Sequence, residues 1–535
     1  MKTLTDFKNV VPALSFGWSA NKICLVFLNM LIGSVLIILS YMGALTIDPI
    51  DFLFFSFVGF LLALYRPGWA FLLFVGMLPY ENINIAPESF GLQLRPYQWL
   101  VVLVALALLV RLLFKRFPLE KFVPNVWDIL LLIFTLSAFI SALISTDQGA
   151  MKQSVILLSF LLLYFVCRIF VRSLDDVRML LPFIFSSLLV VACYAIIQNV
   201  LFLSGKESLE VMAGRPNATF TEADWLGGYL AVLVATLTAL IVSPSLVAKY
   251  ISLRKARILF SLLLFIGFLA LIITVSRSAW LAAFVGIILA LGIFAWQRGL
   301  FDAFRFWNRY VLTRALLLKL FIAIPFLTAL LLIAVTGLTP FDLFDRGKSL
   351  TSGEQKITIA CRQEIALPER IEHLTELAPY DCEHIRLEER AEQQANGSYI
   401  TEIFRTDPNV SIRQDIYGKT IGILKEHWWS GIGFGVISDS LGTDGRGAGL
   451  NASNIFLEIW LGTGMIGFIA FVIFWLGLGW KHFSLAIKKH SSLALVLTAV
   501  WVCVTVFNLF NSGLFLGWLF FFLACLAMND QETYE

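Results

Sequence analysis

The chain has 535 residues, 59% of them hydrophobic and only 14% charged, and a mean hydropathy of +0.83. Soluble domains carry about 25% charged residues, so this composition excludes an ordinary soluble enzyme and describes a protein that folds in lipid. A formal net charge of +3, with Lys and Arg scattered through short segments, also excludes a nucleic-acid-binding surface.

Apolar runs of about 20 residues are long enough to cross a bilayer as helices. They fall at 23–42, 49–65, 68–79, 97–114, 126–145, 153–171, 178–203, 225–243, 258–275, 278–296, 315–336, 454–480, 492–510 and 512–528. The third is short and suits a re-entrant segment, and the turn between the last two is very tight. The N-terminal segment lacks the short apolar core and A-x-A site of a cleaved signal, so the run from Ile23 is read as a retained span. The expected fold is an all-α polytopic membrane protein with about 14 (12–14) transmembrane helices and one long extracytoplasmic loop domain. Residues 1–336 hold helices 1–11, 337–453 form the partly helical loop domain, and 454–535 hold helices 12–14 and a short cytoplasmic tail.

With the N-terminus inside, the inner segments carry 23 Lys and Arg. The short outer loops carry five: Arg95, Lys152, Lys206, Arg215 and Arg277. The other 12 lie in the long loop, which the positive-inside rule discounts, so both termini are placed inside and the long loop outside.

That loop has 12 basic and 18 acidic residues, so any phosphate recognition in it must rest on individual arginines. Cys361 and Cys382 lie there, on the oxidising side, and close a modest loop. A disulfide between them fits the compartment, although spacing alone does not show that they meet. Asn396-Gly397-Ser398 fits a glycosylation sequon, a match common by chance, and EHIRLEERAEQQA (383–395) reads as a solvated helix. No Walker loop, HExxH, CxxC pair or diphosphate-metal motif is present there, so neither a metal nor a cofactor is expected. On the inner side, Asp175 and Asp176 beside Arg172 and Arg178 read as a solvated turn.

Polar residues gather at four places on the outer face. In GRPNATFTEADWLGGY (214–229), Thr221-x-x-Asp224 has a capping-box pattern that makes Asp224 a cap, while Arg215 beside a helix N-terminus suits an anion. TVSRSAW (274–280) breaks two apolar runs, and Arg277 there reads either as a snorkelling turn residue or as facing a polar cavity. SIRQ (411–414) again has a capping look; Arg413, Tyr417 and Thr420 share one helix face. Lys425 and His427 suit that helix's C-terminal end, and Trp428 and Trp429 open a glycine-rich turn that suits an interfacial belt or a platform for sugar rings. Last, NASN (451–454) caps the next apolar helix, with Glu458 one turn deeper, where a carboxylate must be either paired with an Arg or functional.

Together these pieces resemble a known family. R-x-x-x-Y in a helix, then EHWWSGIGFG, then SNIFLEIWLGTGMIG, resembles the central motif of the O-antigen ligase and O-antigen polymerase superfamily. RPNATFTEADWLGGYL and TVSRSAWL are similar to its preceding loop and helix signatures, and the layout agrees over about residues 120–520. The resemblance implies inverting, metal-independent transfer of a saccharide from a polyprenyl-diphosphate-linked donor to a glycan or glycolipid acceptor. It places that transfer at the outer, periplasmic or extracellular face of a bacterial inner (cytoplasmic) membrane. Partners are the lipid-linked oligosaccharide, the acceptor, the bilayer and other polysaccharide-assembly proteins.

Under that resemblance Arg215, Arg277 and Arg413 bind the diphosphate, and Tyr417, Trp428 and Trp429 contact sugar or acceptor. Guanidinium forks match phosphate geometry, and preplaced positive charge stabilises a leaving diphosphate. The family commonly has His-Asn where this chain has Ser453-Asn454, and that His is the proposed base. Here the catalytic candidates are Arg413, Glu458, Asn454, Ser453 and Asp224; the base role passes to Glu458, Asp224 or Glu222, a carboxylate in an apolar setting, or else the reaction needs no strong base. The missing His favours polymerase over ligase. The alternatives are a lipid-linked sugar flippase or transporter, and an inactive envelope-assembly scaffold.

Overall fold

The computed structural model describes residues 20–45, 47–114, 124–248, 251–299, 309–385, 389–406, 408–443 and 449–528. The basic segments at 1–19, 115–123, 249–250 and 300–308, which contribute to the expected orientation, lie outside the described residues.

Apolar helices fall where the apolar runs place them. They are α1 (Ala20–Tyr41), α2 (Pro49–Tyr65), α3 (Pro67–Met77), α4 (Pro96–Leu113), α5 (Val126–Ser145), α6 (Gln148–Phe170) and α7 (Leu174–Leu203). After a polar loop come α8 (Ala223–Val242), α9 (Leu253–Ile273), α10 (Arg277–Gln297) and α11 (Arg309–Thr336). Among the described residues, 10 helices are long and apolar enough to cross a membrane. Pro49–Tyr65, Pro67–Met77, Ser492–Asn508 and Gly517–Leu526 are apolar but shorter. The chain is a multi-pass membrane protein by composition and helix length. α3, the expected short segment, has 11 residues and is buried from Ala70 to Met77, so it lies within the bundle with little lipid contact.

α8 is the centre of the bundle, and 94% of its apolar window is buried. Its sequence explains this, because small residues let neighbouring backbones approach. A Cβ on Gly227 would meet Ala279 of α10 and Ser276 just before it, and one on Gly228 would meet Phe507. α1 and α2 lie at the rim, with Phe27, Phe54, Phe55 and Phe57 exposed where lipid is the natural solvent.

After α11 come α12 (Leu343–Ser352), a small sheet, α13 (Arg390–Ala395), α14 (Pro408–His427) and α15 (Ile437–Leu441). The bundle is then completed by α16 (Ile455–Lys489), α17 (Ser492–Asn508) and α18 (Gly517–Leu526). The strands are β1 (Glu354–Cys361), β2 (Arg370–Ile371), β3 (Cys382–His384) and β4 (Tyr399–Thr406), in spatial order β2-β4-β1-β3. Both β3 and β4 run antiparallel to β1, and β2 runs parallel to β4. Ile357, Ile359, Ile371, Leu377 and Ile403 form its small core. Cys361 and Cys382 sit opposite each other in the β1–β3 register and are joined by a disulfide.

Two local expectations are corrected here. The stretch 383–395 is not one solvated helix: Glu383 and His384 belong to β3, residues 386–388 lie outside the described ones, and the helix is confined to Arg390–Ala395. Pairing with β1 overrides the local helix propensity. SIRQ does not cap a helix either, because α14 already starts at Pro408 and runs through 411–414.

α16 contains a break. Gly464 leaves helical geometry at φ 67°, ψ −172°. The turn 428–435 packs into the gap, with Ile432 N–H donating to Leu461 O at 2.7 Å and Met465 N–H donating to Trp429 O at 3.1 Å.

Candidate active site

Hydrogen bonds link the loop ahead of α8, the α9–α10 turn, α14 and the α17–α18 turn into one set of contacts. The loop ahead of α8 is held rigidly: Gln198 Oε1 accepts from Ala218 N–H at 2.7 Å, Thr219 Oγ1 donates to Pro79 O at 2.7 Å, and Asn217 Nδ2 donates to Phe220 O at 2.6 Å. This fixes the base from which Arg215 projects. Its Nε donates to Thr274 O in the α9–α10 turn at 3.0 Å, and its Nη2 donates to Asp224 Oδ1 at 3.0 Å.

Asp224 is therefore not the cap of α8. The N-cap position is Glu222, and the Asp224 side chain points to Arg215 and to Ser276, whose Oγ donates to the same Oδ1 at 2.6 Å. A tertiary ion pair outcompetes the local capping pattern. Ser276 is the N-cap of α10 yet makes no capping hydrogen bond with its own helix. Its hydroxyl is committed to Asp224 instead.

The α9–α10 turn is sharp. Val275 adopts φ 53°, an uncommon conformation for a β-branched residue, and Thr274 Oγ1 braces it by donating to Leu271 O at 2.7 Å. The turn sets Arg277 at the first residue of α10, directly after Ser276.

Arg413 arrives from α14. Its Nη2 donates to Phe510 O at 3.2 Å, and its guanidinium carbon lies 5.5 Å from the centre of the Phe510 ring. The expected face of α14 is observed: Thr420 is fully buried and Arg413 and Tyr417 are half-buried, whereas Ile412, Gln414 and Asp415 are exposed.

The α17–α18 turn closes the set. Leu509 O accepts from Asn454 Nδ2 at 3.2 Å, Phe510 O accepts from Arg413, and Asn511 Nδ2 donates to Ser278 Oγ at 2.9 Å. Three consecutive residues thus tie α16, α14 and α10 together. The tight turn was evident in the sequence, but Phe510, Asn511, Ser276 and Ser278 were not identified as site residues. The available signal was the polar FNLFNSG interruption between two apolar runs.

Asn454 caps α16 as expected, accepting from Phe456 N–H at 2.9 Å and Leu457 N–H at 3.3 Å. Ser453 sits before it at φ 51°, with its N–H donating to Asn451 Oδ1 at 2.8 Å. Glu458 is buried, and among the described residues it has no ion-pair partner; its Oε2 accepts from Ala452 N–H at 2.7 Å. Of the two readings of this carboxylate, pairing with an arginine is thus not what is observed.

Trp428 and Trp429 are each about half exposed, with ring centroids 5.4 Å apart at 68°. Trp428 O accepts from Trp460 Nε1 at 2.9 Å, which fixes the pair against α16.

The arrangement brings Arg215, Asp224, Arg413 and Asn454 into one connected network, with Arg277 bordering it. Two guanidiniums are each anchored by a backbone carbonyl, and one of them pairs with Asp224, which is an arrangement suited to a multivalent anion. Among the described residues no group of three or more His, Cys, Asp or Glu could hold a metal ion.

Residues 262–472 match the family model described as O-Antigen ligase. The resemblance to the O-antigen ligase and polymerase superfamily is thereby shown over a segment that includes Arg277, Arg413, Tyr417, Ser453, Asn454 and Glu458. Arg215 and Asp224 lie upstream of it. No curated protein and no solved structure matches the chain.

Proposed function

We propose that this protein is a membrane glycosyltransferase that moves a saccharide from a polyprenyl-diphosphate donor to a glycan or glycolipid acceptor, with inversion and without a metal. The family match supports ligase- or polymerase-type activity. The observation that carries the finer reading is the Arg215–Asp224 pair, joined through Ser276 to the start of α10, with Arg413 held by the Phe510 carbonyl of the α17–α18 turn that also bonds Ser278.

In that reaction an acceptor hydroxyl attacks the anomeric carbon, the bond to the diphosphate breaks, and polyprenyl diphosphate leaves. Negative charge grows on the departing oxygens, so fixed guanidiniums lower the barrier without reorganising. The hydroxyl proton goes to a base, for which Glu458 is the candidate; Asn454 places the acceptor, and Tyr417, Trp428 and Trp429 contact sugar rings. Ser453, in place of a base-forming His, favours polymerisation of lipid-linked repeats over ligation. The reaction site faces the periplasmic or extracellular side of a bacterial inner membrane, with both termini inside, and other polysaccharide-assembly proteins are natural partners.

The flippase reading has less support. The break in α16 is filled by the backbone of the 428–435 turn. The buried Arg168–Asp128 pair between α5 and α6 is closed, with Tyr164 also donating to Asp128 at 2.7 Å. Neither offers the open midplane site that transport requires.

The test is incubation of the purified protein with a polyprenyl-diphosphate oligosaccharide, alone and with glycolipid acceptor. Extended or transferred glycan supports the reading. Absence of any new glycosidic bond with all acceptors present would remove it, and movement of donor across proteoliposomes without bond formation would replace it with transport.

A further inference from the structure

The carboxylate of Asp224 occupies an unusual position. It lies in the first turn of α8 and Ser276 is the N-cap of α10, yet neither side chain caps its own helix; each is committed to the other. Asp224 Oδ1 takes both its bonds, from Ser276 Oγ and from Arg215 Nη2, and the side chain remains 30% exposed. Arg413 is not bonded to it. Among the described residues its one hydrogen bond is to Phe510 O, so most of its donors stay uncommitted.

An anion site built from arginines is unstable when empty, because like charges repel and desolvated donors go unpaired. We infer that Asp224 is the resident counter-ion of this site: it holds Arg215 in place while the site is empty and is displaced when a diphosphate takes its place between Arg215 and Arg413. This rests on the diphosphate reading above and adds a regulation to it. Asp224 is then a positioning residue that competes with the ligand. Its competition weakens resting affinity for the diphosphate, which suits release of the polyprenyl diphosphate product. Ser276 sets how firmly the carboxylate is held.

The test is calorimetric titration of the full chain in detergent with inorganic pyrophosphate. Asp224→Asn keeps the side-chain shape and removes the competing charge, so it binds pyrophosphate about tenfold tighter than the wild type. Ser276→Ala loosens the carboxylate and shifts affinity the same way by a smaller factor. A residue that merely supported the fold would give equal or weaker binding, and that result in both variants overturns the inference. If Asp224→Asn does not fold, Ser276→Ala decides alone. Arg215→Gln and Arg413→Gln test the underlying reading: wild-type affinity in both removes the diphosphate site itself. If neither the wild type nor Asp224→Asn binds pyrophosphate, both the site and the inference fall.

Discussion

The backbone carbonyl of Trp429 occupies the space that a side chain on Gly464 would need. Gly464 lies inside α16 at φ 67°, and the Trp429 carbonyl accepts from Met465 N–H there, so the interruption of the helix is satisfied by the turn that precedes it. α16 is consequently two helical lengths. The first carries Asn454 and Glu458 beside the site; the second, 465–489, is about 37 Å long and sufficient by itself to cross a bilayer. Glu458 thus belongs to a short helix leading into the span.

Gly464→Ala should be among the most damaging single changes. It adds a clash with backbone to a left-handed conformation that L side chains rarely adopt, at a cost of about 3 kcal/mol or more. Thermal unfolding in detergent should show the loss. An unchanged midpoint would mean that the 428–435 turn is not seated against α16.

Asn454→Ala removes two N-terminal hydrogen bonds of α16 and the bond to Leu509 O. The cap alone contributes about 1 kcal/mol. Asn454→Asp retains the capping acceptor but loses the donor to Leu509. Near-normal stability with reduced transfer in the Asp variant would locate the role of Asn454 in the link to the α17–α18 turn.

Glu458→Gln keeps an oxygen that can accept from Ala452 N–H, so its stability should stay near that of the wild type. If Glu458 is the base, turnover is abolished while donor binding persists. Glu458→Ala instead leaves the Ala452 N–H buried without a partner and costs about 1–3 kcal/mol. Comparable activity in wild type and the Gln variant would exclude the carboxylate as a base.

Arg413→Lys should lower transfer by about 100-fold, because an ammonium cannot keep the bond to Phe510 O and also present a planar fork to phosphate. The comparison is kcat/KM for the two proteins with the same lipid-linked donor. Retained turnover would argue that Arg413 serves only to hold the α17–α18 turn.

Reduction of Cys361–Cys382 should loosen the small sheet by about 2–4 kcal/mol and leave the helical bundle folded. The sheet core is small enough that a covalent staple matters. Proteolysis within 354–406 after reduction, with the bundle intact, is the expected pattern. Equal protection before and after would show that the strands hold without it.

Much of the architecture could be read from the chain alone, because lipid makes hydrophobicity a direct signal. Every apolar run became a helix, and the limits of α5, α8 and α10 fall within a few residues of the runs that announced them. Arg215, Arg413 and Asn454 were also visible, since an arginine or an amide at the edge of an apolar run needs a partner. What the sequence could not decide was the identity of those partners. Thr221-x-x-Asp224 is a sound local capping pattern, yet Asp224 turns to Arg215 and Ser276 because a charged tertiary partner outweighs a local backbone bond. The strand β3 was hidden for the same reason, since residues distant in sequence supply its hydrogen bonds. Only the tertiary structure brings the 509–511 turn against α10, α14 and α16, and that meeting turns separate polar residues into one site.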